Sequence, residues 1–109
     1  MIREAVEELG SPTTNRAVRD WVAEHYPEAN PLTVQTQLLI LCVNQPSRTH
    51  YPENQRARPC TDVRYDYLYR PDRGEVEWYR PEQHGAWSIE QDDEGNFAIS
   101  CDDGELIWP

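Results

Sequence analysis

An α+β fold, three helices followed by a β-hairpin and one or two further short strands, is what this 109-residue sequence predicts. Apolar residues recur at helical spacing through the first 43 positions, and aromatic and β-branched residues alternate from Val63 onward. Between two alternating runs lies the turn Pro71-Asp72-Arg73-Gly74.

Ile2, Ala5, Val6 and Leu9 fall at i, i+3, i+4 and i+7 and give a first helix one apolar stripe, which Gly10-Ser11-Pro12 terminates. Thr13 or Thr14 caps a second helix that buries Ala17, Val18, Trp21 and Val22 and ends at Pro27. Asn30-Pro31 reads as the N-cap and first residue of a third helix, Leu32 to Val43. There Val34, Leu38, Leu41 and Cys42 share the expected inner face, and Thr33, Thr36, Gln37, Ile40 and Asn44 the outer one.

Residues 44–64 carry three prolines and many turn formers, which predicts an irregular loop with exposed arginines. Residues 63–70 and 75–80 form the hairpin, and 86–91 and 97–101 are two more short strands around Asp92-Asp93-Glu94-Gly95-Asn96. The order helix, helix, helix, hairpin is that of a winged helix-turn-helix, in which the third helix faces outward and the hairpin is the wing. The expected organisation is a winged-helix domain over 1–90 with an acidic extension, 91–109, packed on it.

The length suits one modest core. No apolar run approaches the ~20 residues that cross a bilayer, and the start MIREAVEELG has no secretory pattern, so a cytoplasmic protein with no membrane contact is expected. Cys42, Cys60 and Cys101 form an odd set without a CxxC pair, which predicts free thiols. The net charge of -10 is uneven: three arginines face six carboxylates in 1–43, four face two in 44–64, and three face twelve in 65–109. The only cationic stretch is therefore central.

Thr33, Thr36, Gln37 and Asn44 carry groups that hydrogen-bond base edges, glutamine pairing best with adenine, and make the candidate base contacts. Arg48, His50, Arg56, Arg58 and Arg64, with Arg73 at the hairpin tip, make the candidate contacts to the DNA backbone. A solvated polar face and arginines that neutralise nearby carboxylates give the same patterns. The tyrosines of 65–69 and the tryptophans 78 and 87 suit core packing better than base stacking. Cys42, His50 and Cys60 lack the close ligand pairs of structural zinc sites, and no Ser or Cys constellation suits nucleophilic catalysis, so neither metal, cofactor nor enzyme activity is expected. Asp72, Glu75 and Glu77 have no lysine to complete a metal-dependent nuclease motif.

The stretch NPLTVQTQLLILCVNQPSRTHYPENQRARP, with YDYLYR and RGEVEWYRPEQHGAW, resembles an uncharacterised winged-helix-like domain family associated with restriction endonucleases and other prokaryotic defence proteins. Val43-Asn44, Ser47-Arg48, His50-Tyr51, Asn54, Tyr65-Asp66 and His84-Gly85 carry the likeness, over roughly 1–90. The resemblance implies an accessory DNA-specificity module beside a nuclease or motor. Two readings stay open: a module that binds double-stranded DNA, and an acidic protein-interaction module, adaptor or DNA mimic, docking on a basic partner. Seven carboxylates and no cation in 88–109 motivate the second.

Overall fold

The computed structural model describes all of residues 1–109. Four helices, α1 (Ile2–Leu9), α2 (Asn15–His25), α3 (Pro31–Leu41) and α4 (Pro81–His84), combine with two small antiparallel sheets in an α+β fold. None of the helices is long and apolar enough to cross a membrane.

The helix ends follow local chemistry. Thr14 caps α2, its hydroxyl accepting from the Ala17 N–H at 3.0 Å, and Asn30 caps α3, its carboxamide oxygen accepting from the Leu32 N–H at 2.8 Å. The strands of the first sheet are β1 (Thr13–Thr14), β4 (Glu75–Trp78) and β3 (Leu68–Tyr69), in the spatial order β1-β4-β3. Its register sets Thr13 opposite Val76 and Leu68 opposite Trp78. Cys42 and Val43 run beside β3 and tie the end of α3 to the hairpin through Val43 N–H to the Leu68 carbonyl at 2.9 Å. The first core lies between this sheet and α1 to α3 and is built on Val6, Val18, Val22, Leu38, Leu68 and Val76. Each such side chain contributes roughly 1.5–3 kcal/mol by leaving water.

The second sheet, β2 (Arg58–Pro59), β5 (Trp87–Gln91) and β6 (Phe97–Cys101), has the order β2-β5-β6 and packs Val43, Cys60, Ile89 and Ile99 into a second core. Because β5 ends at Gln91 and pairs along its whole length with β6, residues 91–109 begin inside this sheet. Ile107 closes it through two backbone hydrogen bonds with Ile99.

Three local expectations differ from the structure. The stretch 44–64 is ordered as two 3-10 turns, Pro46–His50 and Pro52–Asn54, followed by β2. Each of its first two prolines opens a turn at the position where a fixed φ and a missing N–H cost nothing. Residues 63–67 do not extend the hairpin, because Tyr65 and Asp66 both bond back to the Asp62 carbonyl. Ile40, expected on the outer face of α3, is buried where the first 3-10 turn packs on the helix.

Candidate nucleic-acid interface

Three of the ten expected contacts, Arg48, Arg58 and Asn44, are tied into the protein itself. Arg48 is wholly buried: Nε donates to the Ile40 carbonyl at 2.9 Å, and Nη2 to the Tyr65 carbonyl and the Asp66 carboxylate at 2.8 Å each. Arg58 meets the same carboxylate with two hydrogen bonds, at 3.0 and 2.8 Å, and bonds the Asn54 carboxamide oxygen. Asn54 in turn donates to the Ile40 and Arg48 carbonyls. Asp66, Arg48, Arg58 and Asn54 thus form one buried network that welds the end of α3 to the 3-10 turns and β2, and a phosphate has no access to Arg48. Such a network holds only when every member is satisfied, as it is here. Asn44 is committed as well, its carboxamide bonding the backbone of Arg70 at both ends.

Arg56 and Arg64 are exposed but share one carboxylate, Asp62, at 3.4 and 2.9 Å. Hydrogen bonds from Arg64 push the Asp62 carboxyl down to about 2. The cationic character of 44–64 is therefore largely answered by Asp62 and Asp66. His50 is exposed beside a polar concavity between the first 3-10 turn and the β5–β6 turn. Several of the concavity's polar groups are occupied internally: Gln55 donates to the Thr49 and His50 carbonyls, and Asp92 accepts from the Glu94 and Asn96 N–H groups. The cysteines do not converge: Cys42 lies in the first core and Cys60 in the second, and burial pushes their thiols up to about 12 and about 11.

Arg73 leads to a different surface. Together with Arg70 it lines a groove of about 530 Å³ between α2, α3 and the β3–β4 hairpin, opposite Asn15 and Arg19 of α2 and Gln35 of α3, with Gln45 at one end and Leu38, Leu39, Cys42 and Val76 below. None of its three guanidinium groups is ion-paired, and no carboxylate lines it. Apart from Gln37, the side-chain amides that make no hydrogen bond inside the protein are Asn15, Gln35 and Gln45, and all three are here. The Asn15 carboxamide oxygen is buried without a partner.

This arrangement is suited to a ligand that offers anionic oxygens to guanidinium groups and mixed donors and acceptors to carboxamides. Of the expected contacts, Thr36 lies next to Gln35 on α3, whereas Thr33 and Gln37 are turned about the helix toward Ile40 and the 3-10 turns. The sequence reading missed Arg19, Gln35, Gln45 and Arg70. A signal existed for Arg70, which directly precedes the hairpin turn that carries Arg73.

A family model described as domain of unknown function (DUF7669) matches residues 1–78, a span that holds the whole groove and the Arg48–Asp66 network. No curated protein and no solved structure matches the chain.

Proposed function

The chain belongs to the family described as domain of unknown function (DUF7669), and we propose that it is a non-catalytic winged-helix module that binds double-stranded DNA across the groove between α2, α3 and the β3–β4 hairpin. The observation that carries this reading is the set of unpaired guanidinium groups and unbonded carboxamides gathered in one groove that no carboxylate lines, in a chain with net charge -10. Guanidinium groups bind phosphates, and carboxamides read base edges.

The topology supports the winged-helix part. A short strand between α1 and α2 pairs with the second hairpin strand in the order β1-β4-β3, which leaves α3 on one side and the turn at Arg73 projecting beside it. In the bound state α3 lies in the major groove, Arg19 and Arg70 contact phosphates on either side, and Arg73 reaches the backbone or the adjacent minor groove. The resemblance read from the sequence assigns such a module to a restriction or other defence system, beside a nuclease or motor that does the chemistry.

A labelled duplex titrated at several salt concentrations tests this reading by fluorescence anisotropy. Three arginine–phosphate contacts predict a log–log salt slope of about -3. No binding at roughly 100 µM protein in low salt, where even non-specific binders saturate, contradicts it.

One observation favours the second reading, docking on a basic partner protein. Leu106, Ile107 and Trp108 are exposed beside the acidic β5–β6 sheet, so apolar and anionic surface adjoin. Under that reading, Trp108→Ala abolishes co-purification with the partner and DNA affinity is absent at every salt concentration.

A further inference from the structure

We infer that the α3 side of the groove selects A·T over G·C base pairs, an inference that rests on the DNA-binding reading above. Leu32, Gln35, Thr36 and Leu39 stand at i, i+3, i+4 and i+7 and so share one face of α3. On it Leu32 is the most exposed large apolar side chain of the helix, at 72%, and Gln35 is exposed with its carboxamide unbonded.

The chemistry of this face is selective. Guanine is read most often by Arg or Lys, bidentate to O6 and N7, and α3 contains no charged residue at all. A glutamine carboxamide matches adenine, donating to N7 and accepting from the N6 amino group, and an apolar side chain such as the exposed Leu32, with the half-buried Leu39 beside it, matches the thymine methyl. Gln35 flanked by Leu32 and Leu39 therefore presents the complement of an A·T step. The leucines offer a cytosine amino group nothing to bond.

The hairpin turn adds to the same preference. Arg73, exposed and unpaired beside Gly74, is placed to enter the minor groove next to the α3 site, and narrow A·T-rich minor grooves carry the enhanced negative potential that draws arginine.

Competition anisotropy tests this with three duplexes of equal length: an A·T-centred site, the same site with deoxyuridine for thymidine, and a G·C-centred site. The A·T site is expected to bind at least about fivefold tighter than the G·C site, and removal of the thymine methyl to weaken it about fourfold. Gln35→Ala, at an exposed position that leaves the fold intact, is expected to narrow the difference between A·T and G·C while leaving the thymine-methyl effect in place, whereas Gln37→Ala changes neither. Equal, salt-dependent affinity for all three duplexes overturns the base preference and leaves the DNA-binding reading standing. Failure to bind any duplex overturns both.

Discussion

The carboxamide of Asn44 grips the backbone of Arg70 from both sides: Nδ2 donates to the Arg70 carbonyl at 2.7 Å, and Oδ1 accepts from its N–H at 2.8 Å. Position 44 lies shortly after α3 and position 70 directly after β3, so this pair fixes the hairpin against the helix at the edge of the groove. Asn44→Ala leaves two backbone groups without their partners and is expected to cost about 1–3 kcal/mol. On the DNA-binding reading it also weakens binding without removing a charge. Chemical denaturation and anisotropy on the same variant check the two effects separately.

Asp66 is the shared counter-ion of Arg48 and Arg58, and its side chain is fully buried. Its removal strands Arg48 as an unpaired charge in the interior. Asp66→Ala is therefore expected to destabilise the fold by about 3–5 kcal/mol, read from the denaturation midpoint. A loss below about 1 kcal/mol, the range of a surface ion pair, contradicts the buried network.

Gly85 follows α4 at φ +91, and a Cβ there would lie 2.5 Å from the Cys101 sulfur and 2.9 Å from an Asp102 carboxylate oxygen. Both backbone strain and overlap oppose any side chain. Gly85→Ala is expected to cost about 1–3 kcal/mol and to loosen the β5–β6 sheet from α4. Thermal unfolding and faster amide exchange in residues 97–101 would report it.

The Arg64 guanidinium and N–H hold the Asp62 carboxyl at about 2, below the ordinary carboxylate value. Because the folded value is the lower one, the stability these contacts supply is complete above about pH 4 and is lost as the pH falls toward 2. A carboxyl chemical-shift titration should give a midpoint near 2 for Asp62 and a higher one in Arg64→Ala. An unshifted Asp62 midpoint contradicts the pairing.

Local chemistry made much of the fold legible. Asn30-Pro31 marks the start of α3, Pro71–Gly74 the hairpin turn and Asp92–Asn96 the β5–β6 turn, each through contacts within a few residues. The buried network was not legible, because Arg48 meets Asp66 eighteen positions away and only the folded chain shows that these arginines are consumed. The direction in which α3 faces was not legible for a related reason. Leu32, Val34, Leu38, Leu39, Ile40 and Leu41 surround the helix with apolar groups, so periodicity defines no clear outward direction. Packing of the 3-10 turns on Ile40 decides the matter and leaves Gln35, rather than Gln37, in the groove.

The central claim is that DNA is bound at the groove and not by surface cations at large. Two triple variants with the same change in charge test it most directly, Arg19/Arg70/Arg73→Ala in the groove and Arg56/Arg64/Arg80→Ala elsewhere on the surface. Duplex binding followed by anisotropy across a salt series is expected to fall steeply in the first variant, its salt slope flattening by about 0.9 per lost contact, and to change little in the second. Equal losses in both variants, or none in the first, would contradict the claim.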